Sequence, residues 1–194
     1  MSYNKKVILK NGSANMFMLI AIFIWGFAES TLFFIIPDVL LSLYAIQKNT
    51  FVRVILANVI CVLGAIVGGT IMYSLSATNI DVISVLMNIP AIHPHMVEHV
   101  HEQLSSNVFI ALITGPLFGV PYKIFASVAP EYTSLILFLM VSIPARLARF
   151  LFISVLSYVL SHYVFKQLSM TAKYCVWGAV WLIGYGIYFY LIGF

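Results

Sequence analysis

The sequence predicts an all-α integral membrane protein in which transmembrane helices surround two opposed re-entrant helical hairpins. Of its 194 residues, 62% are hydrophobic and 8% are charged, whereas a soluble domain carries about 25% charged residues. The apolar residues form long stretches, and a helix needs about 20 residues to cross a bilayer. Two of the stretches are interrupted by prolines and charged side chains, which indicates broken helices rather than continuous spans.

The same composition excludes several classes of function. A chain with so few charges is not expected to be a soluble enzyme, and its 10 Lys and Arg against 6 Asp and Glu indicate orientation in a membrane rather than nucleic-acid binding. Cys61 and Cys175 both lie in apolar runs, so neither a disulfide nor a CxxC site is predicted. Catalytic and cofactor-binding motifs are absent from the sequence. We therefore expect a membrane protein that is not an enzyme and needs no cofactor.

Three parts are expected along the chain. Residues 1–15 form a cytoplasmic N-terminus, residues 16–165 form a membrane domain, and residues 166–194 form a cytoplasmic loop and a final transmembrane helix. In this arrangement the basic residues of the loops all face the cytoplasm, as the positive-inside rule requires. These residues are Lys5, Lys6, Lys10, Lys48, Arg53, Lys166 and Lys173. The expected protein is multi-pass, with its N-terminus in the cytoplasm.

The first apolar stretch, residues 16–45, contains Glu29, Pro37 and Asp38. Each half has about 15 residues, which is short of the roughly 20 that a span needs. If the stretch enters the membrane and returns, turning near Pro37, the basic residues on both sides of it lie on the same face of the membrane. A re-entrant hairpin is therefore predicted, with a pair of ordinary short helices as the alternative.

The next two segments are predicted to be a membrane span and an external segment. Residues 54–75 form a continuous apolar helix, in which Gly64, Gly68 and Gly69 favour close contact with another helix. Residues 77–106 contain neither Lys nor Arg, and the positive-inside rule places them outside.

The last three segments are predicted to be a second hairpin and two spans. Residues 107–129 are apolar but are interrupted by glycines, prolines and Lys123, so we expect them to dip in from the outside and turn at Pro121. Residues 134–165 then cross inward. Residues 174–191 form the closing span, with tryptophans and tyrosines of the interfacial type.

The two predicted hairpins resemble each other weakly. Residues 36–42, Ile-Pro-Asp-Val-Leu-Leu-Ser, can be aligned with residues 120–126, Val-Pro-Tyr-Lys-Ile-Phe-Ala. Since the two hairpins enter from opposite faces, the similarity predicts an inverted repeat with a binding site near the midplane.

Five charged residues fall at membrane depth, where such groups mark the paths of ions, protons or charged substrates. They are Glu29, Asp38, Lys123, Arg146 and Arg149. Glu29 and Asp38 surround the first turn and are candidate proton carriers. Arg146 and Arg149 share one helix face, which suits bidentate binding of a phosphate, and Lys123 adds a further positive charge. The alternative is that these charges form ion pairs with a purely structural role.

A run of histidines lies in the external segment. On a helix, His95, His99 and Glu102 share one face at spacings i, i+4 and i+7, which is a workable arrangement of metal ligands. A polar surface helix that leads into the second hairpin is the alternative, and it is the more frequent explanation of such a pattern.

Three motifs carry a family resemblance. The run from Glu29 reads E-S-T-L-F-F-I-I-P-D-V-L-L, residues 121–125 read P-Y-K-I-F, and residues 145–150 read A-R-L-A-R-F. In this order they resemble the motifs of the DedA membrane proteins, which are part of the wider VTT group, and they look most similar to the YqaA-like branch. The similarity covers residues 25–165.

The resemblance implies two opposed re-entrant hairpins, surrounded by transmembrane helices, in a bacterial inner membrane. It also implies a flippase or scramblase that moves a phosphate-bearing lipid, such as undecaprenyl phosphate or a phospholipid, between leaflets, in some members with dependence on the proton gradient. By motif position, Glu29 and Asp38 are then the acidic pair, and Arg146 and Arg149 the basic pair. The expected partners are the lipid, protons and, in a homo-oligomer, further copies of the chain.

Three other functions fit the same residues. A proton-coupled transporter of small ions or metabolites would use the buried charges without a lipid. A membrane scaffold would use them only to hold its fold. A membrane enzyme acting on a lipid phosphate is the weakest of the three, since its metal site would have to be the histidine face.

Overall fold

The structure, a computed structural model, describes the backbone of residues 2–47, 50–117 and 119–192, and the side chains of residues 16–47, 50–116 and 119–192. Within these ranges all regular secondary structure is helical. Three helical stretches are long and apolar enough to cross a bilayer: Phe51–Ala77, Leu135–Val164 and Met170–Ile192. The prediction of an all-helical membrane protein is confirmed to this extent. Lys48, which the sequence assigns to a cytoplasmic loop, lies outside the described residues.

The helices follow the predicted order of segments. They are α1 (Ser2–Thr31), α2 (Asp38–Gln47), α3 (Phe51–Ala77), α4 (Val82–Leu86), α5 (Pro94–Ser106), α6 (Val108–Thr114), α7 (Tyr122–Val128), α8 (Leu135–Val159) and α9 (Met170–Ile192). A π-helical turn, Leu160–Val164, extends α8. Because α1 begins at Ser2, the segment predicted as a separate N-terminus is continuous with the first apolar helix.

Helices α1 and α3 pack in parallel along a seam of glycines. A Cβ atom at Gly64 would overlap the carbonyl oxygen of Phe23, and one at Gly68 would overlap the hydroxyl of Ser30. The contacts pair rising residue numbers on α1 with rising residue numbers on α3, so the two helices run in the same direction. The predicted close contact at Gly64 and Gly68 is confirmed, and it brings the two backbones nearer than any larger residue would permit.

Helix α8 runs antiparallel to α3. Three contacts pair rising numbers on α3 with falling numbers on α8: Phe51 with Tyr158, Asn58 with Ser154, and Tyr73 with Phe138. Pro144 lies inside α8, which continues through it as one helix. The start of α3 and the end of α8 therefore lie at the same end of the bundle.

The first apolar stretch is broken between α1 and α2, over residues 32–37, which we call the first break. Pro37 immediately precedes α2, where a proline is compatible with the start of a helix. Side chains satisfy part of the exposed backbone: the Trp25 indole donates to the carbonyl of Ile35 at 3.1 Å, and the amide of Ile36 donates to the Tyr185 hydroxyl at 2.9 Å. Non-helical backbone at membrane depth needs such partners because lipid supplies none.

The second apolar stretch is broken between α6 and α7; residues 115–117 and 119–121 are what we call the second break. A 3-10 turn, Gly115–Leu117, follows α6, and Pro121 precedes α7. Helix α7 runs parallel to α3, because Tyr122 lies against Gly69 and the carbonyl of Ser127 accepts a hydrogen bond from the Ser76 hydroxyl at 2.6 Å. Both stretches that the sequence identifies as interrupted are thus broken close to their predicted prolines.

The segment that was predicted to be external, residues 77–106, packs over the second broken stretch. Helix α5 is amphipathic, and its buried side chains, Met96, Val97, Val100 and Leu104, join the hydrophobic cluster formed with α3, α6, α7 and α8. A separate cluster lies among α1, α2, α3 and α8. Each broken stretch therefore packs into its own apolar core, and the two cores share α3 and α8.

Helix α9 lies at the edge of the bundle, and the described part of it contains no buried residue. Aromatic side chains attach it to the first broken stretch. The indole nitrogens of Trp177 and Trp181 donate to the Ser42 hydroxyl at 3.0 and 3.1 Å, and the Tyr185 hydroxyl holds the amide of Ile36. This helix is thus held by a few polar contacts rather than by an apolar core.

Candidate functional site

Two ion pairs join α8 to the residues on either side of the first break. Arg146 donates to Glu29, in the last part of α1. Arg149 donates from NH2 to Asp38 Oδ2 at 2.6 Å, and Asp38 is the first residue of α2. Because the two arginines are three positions apart on one helix, they lie on the same face and reach the two sides of the break together. The predicted acidic pair and the predicted basic pair are therefore in contact.

The second break contributes to the same cluster. Arg149 also donates from NH1 to the carbonyl of Pro116 at 3.1 Å. The ammonium group of Lys123 donates to the carbonyl of Phe33 in the first break. Each break is thus bound by a cation that belongs to another segment. The five charged residues that were predicted to lie at membrane depth all come together where the two breaks face each other.

Most of this cluster is shielded from solvent. Relative exposure is 4% for Glu29, 1% for Asp38, 1% for Lys123 and 5% for Arg146, and the Arg149 side chain is 18% exposed. A buried ion pair adds little net stability, but removing one partner from such a pair costs about 3–5 kcal/mol because the other charge is left uncompensated. The cluster is therefore sensitive to the loss of any single charge.

Several polar atoms of the cluster have no partner. Among the buried side-chain atoms of the described residues, Nε and NH1 of Arg146 and Oδ1 of Asp38 make no hydrogen bond. The face of the Tyr122 ring lies 4.0 Å from the Arg146 guanidinium carbon, which stabilises the cation without using its N–H groups. A guanidinium can donate five hydrogen bonds, so part of the donor capacity of Arg146 is unused in this arrangement.

A cavity of about 730 Å³ lies between the two breaks, α8 and α9. This volume is within the range of roughly 300–1,000 Å³ that is typical of ligand sites. Its charged wall residues are Glu29, Asp38, Lys123 and Arg149, and most of the remaining wall is apolar. Arg146, whose guanidinium stacks on the wall residue Tyr122, is not itself a wall residue of this cavity.

The cavity reaches the apolar surface of the bundle. Three of its wall residues, Phe34, Ile113 and Phe152, are exposed large hydrophobic side chains. On the side of α5 the wall is formed by residues 90–92, where Ala91 has a φ of 62°. A non-glycine residue in this left-handed region is strained by about 1–3 kcal/mol, so the surrounding packing must hold the loop in place.

Two members of this site were not identified from the sequence. Tyr122 appears there only as the middle residue of the motif at 121–123, and Tyr185 appears only as one of several interfacial aromatics. Tyr185 has a detectable signal, because Trp177, Trp181 and Tyr185 recur every four residues and so share one face of α9. The structure turns that face toward the first break and the cavity.

The histidine run does not form the metal site that the sequence suggested. Among the described residues, no group of three His, Cys, Asp or Glu side chains is placed to hold a metal ion. His99 lies 3.8 Å from Glu102 on an exposed face of α5, and its other ring nitrogen lies 2.9 Å from Gln103. The shared helix face of His95, His99 and Glu102 therefore does not bring their ligand atoms together.

Comparison of the chain with protein-family models, curated proteins and solved structures finds no match.

Proposed function

We propose that this protein is a lipid transporter, a flippase or scramblase related to the DedA family, that moves a phosphate-bearing lipid between leaflets. The observation that carries the proposal is the cluster of buried charges on the wall of a cavity that opens to the apolar surface. A phosphate head group needs a polar, cationic site at membrane depth, whereas its hydrocarbon tail needs contact with lipid. This cavity offers both.

The proposed membrane topology has two re-entrant hairpins that enter from opposite faces. Helix α1 reaches only the level of Gly68 on α3, and α3 continues to Ala77, a further rise of about 13 Å. The first break thus lies short of the far end of α3. Helix α2 returns toward the start of α3, whereas α7 runs beside the end of α3. These directions support opposed hairpins that form an inverted repeat, with their breaks near the midplane.

In the proposed orientation the protein lies in the inner membrane, with its N-terminus in the cytoplasm. The start of α3, with Arg53, lies at the same end of the bundle as the connection between α8 and α9, with Lys166, and the first turn of α9, with Lys173. Helix α1 runs parallel to α3 and begins at that end. Gathering the basic residues at one end supports a cytoplasmic position for it by the positive-inside rule.

The charge balance of the cluster favours an anionic substrate. Lys123, Arg146 and Arg149 contribute three cationic side chains, whereas Glu29 and Asp38 contribute two anionic ones. Among the described residues, no carboxylate lies within ion-pair distance of Lys123. An uncompensated charge is costly at membrane depth, and a phosphate would supply the missing negative charge.

Arg149 and Lys123 are the proposed contacts of the phosphate, because both line the cavity. Arg146 is a positioning residue that holds Glu29 and thereby the end of α1. In the proposed cycle, protonation of Asp38 weakens its bond to Arg149 and frees that guanidinium for the phosphate. Departure of the phosphate and loss of the proton then restore the ion pair. Coupling between the two steps would make transport depend on a proton gradient.

The experiment is leaflet exchange of a fluorescent phospholipid and of a polyprenyl phosphate in proteoliposomes, with and without a pH gradient. The test variant is Arg149→Gln, and Arg53→Gln removes a charge of the same sign from an exposed position outside the cluster. We expect Arg149→Gln to lower the exchange rate about tenfold or more, because hydrogen bonds to a charged group contribute about 1.5–3 kcal/mol. Arg53→Gln should exchange lipid like the wild type.

Each alternative function predicts a different result in this assay. A scaffold predicts background exchange in every variant, together with reduced amounts of folded Arg149→Gln. A transporter of small ions or metabolites predicts proton flux that does not need the phosphate lipid. Equal exchange by the wild type and Arg149→Gln at matched reconstitution would contradict the proposed role of the cluster.

A further inference from the structure

A second cavity, of about 260 Å³, lies between α2, the final turns of α8 and α9. Its wall is mainly apolar and includes Leu156, Leu160, Val176 and Val180. Ligand sites commonly measure about 300–1,000 Å³, so the space suits a part of a ligand better than a whole one.

The two cavities adjoin each other. Ile153 and Trp181 belong to the walls of both. The indole of Trp181 is anchored by its bond to Ser42 at 3.1 Å, and it extends from α9, the helix whose described residues are all at least partly exposed. Trp181 thus lies where the two cavities meet, on a helix with no buried residue among those described, and a change in its rotamer would widen the connection between them.

The far end of the smaller cavity is formed by the π-helical turn and the start of α9. Lys173 donates to the carbonyl of Ser161 at 2.6 Å, and the buried hydroxyl of Ser161 has no partner. This cavity extends from Ile153, on the wall that it shares with the larger cavity, to Phe165, which follows the π-helical turn. It thus forms a mainly apolar channel that leads away from the charged cluster toward the connection between α8 and α9.

We propose that the smaller cavity is a tail subsite, which binds the hydrocarbon chain of the lipid whose phosphate occupies the larger cavity. This inference rests on the proposed function, to which it adds selection of the lipid by its hydrocarbon chain. Continuity of the two walls and the apolar lining identify the occupant as part of the same lipid. Since the surrounding bilayer is as apolar as the subsite, selectivity comes from the shape of the channel rather than from the hydrophobic effect.

The test uses two photoactivatable phosphatidic acids, reconstituted with the full chain in vesicles. One carries a diazirine beside the glycerol and reports on the larger cavity, and the other carries it near the end of an acyl chain. Val176→Trp and Val180→Trp each place an indole into the smaller cavity, whereas Leu182→Trp, at a 77% exposed position outside both walls, is the matched control.

We expect the tail probe to label the wall of the smaller cavity in the wild type and in Leu182→Trp. In Val176→Trp and Val180→Trp this labelling should fall about tenfold, because the added indole occupies the space that the acyl chain would fill. The glycerol probe should label the larger cavity equally in all four proteins. Because α9 has no buried residue among those described, these substitutions do not disturb a core.

The outcomes separate the subsite from the function on which it rests. If the glycerol probe labels the larger cavity but the tail probe labels the smaller one no better than bulk lipid does, the tail subsite is wrong and the transporter stands. Equal tail labelling in Val176→Trp and Leu182→Trp would also overturn the subsite. Failure of both probes to label either cavity would overturn the subsite and the lipid site together.

Discussion

Asp38 and Arg149 form an ion pair in which only one oxygen of the carboxylate is used. NH2 of Arg149 lies 2.6 Å from Oδ2, whereas Oδ1 is buried without a partner. The guanidinium, in contrast, also donates to the carbonyl of Pro116. Oδ1 of Asp38 is therefore free to accept a proton. If protonation neutralised the carboxylate, Arg149 would still be bonded to the second break.

Replacement of Asp38 by Asn should remove the response of lipid exchange to a pH gradient. Asparagine keeps the size of the side chain and one oxygen acceptor for Arg149, but it cannot gain or lose a proton. The measurement is the ratio of exchange rates with and without an imposed gradient. Glu131→Gln, which neutralises a 63% exposed carboxylate, is the control. A gradient response of wild-type size in Asp38→Asn would exclude Asp38 as the proton carrier.

Glu29 and Arg146 should be energetically coupled in folding. Arg146→Met leaves the Glu29 carboxylate buried and unpaired, so we expect the free energy of unfolding to fall by about 3–5 kcal/mol. The double variant Glu29→Gln/Arg146→Met should lose less than the two single variants together. Denaturation in detergent for the full double-mutant cycle measures this coupling. Strict additivity would mean that the ion pair does not contribute to stability.

Gly64→Ala should destabilise the seam between α1 and α3. The new methyl group would overlap the carbonyl oxygen of Phe23, which is backbone and cannot rotate away. We expect a loss of about 1–3 kcal/mol in the free energy of unfolding. Gly178→Ala is the matched control, because a Cβ at Gly178 meets open space and alanine is the better helix former. Similar stability in the two variants would mean that the seam can widen.

Tyr185→Phe should loosen the first break without changing the cluster of charges. The variant removes the acceptor of the Ile36 amide, and an unsatisfied buried donor costs about 1–3 kcal/mol. Hydrogen exchange at the Ile36 amide should accelerate, and the thermal midpoint should fall. Tyr190→Phe, at an 87% exposed position on the same helix, should change neither quantity. Unchanged protection of Ile36 would show that another group satisfies its amide.

Much of the fold can be predicted from sequence because lipid restricts the backbone so strongly. A proline within a stretch too short to cross twice as helices predicts a break, and Pro37 and Pro121 both precede helices after a break. The positions of the breaks in the membrane remain a prediction, because helix length and composition over the described residues identify three continuous spans and do not give the depth of a break. Residues 1–15 were predicted to form a cytoplasmic N-terminus because of their lysines. Lysines alone do not indicate that helix α1 begins as early as Ser2.

The charged residues of the site could be predicted from the sequence, but their pairing could not. Charged residues at membrane depth need partners, so the proximity of the arginines to the carboxylates could be expected. Which arginine meets which acid depends on the height at which α8 passes the first break, and sequence spacing does not determine that. Spacing also predicts that Arg146 binds the phosphate, and this stays a prediction; in the structure its guanidinium stacks on the Tyr122 ring. The helical spacing of His95, His99 and Glu102 likewise describes a shared face without the convergence that a metal requires.

Helix α8 holds both sides of the first break, through Arg146 on the α1 side and Arg149 on the α2 side, and α1 is also packed against α3 along the glycine seam. A shift of α8 along α3 would therefore require either that the ion pair of Arg146 open or that residues 32–37 change conformation. Lys123 holds the carbonyl of Phe33 within those residues. In the proposed function, a phosphate that draws the ammonium group away would remove this restraint, and occupancy of the charged cavity would then govern the freedom of the first break.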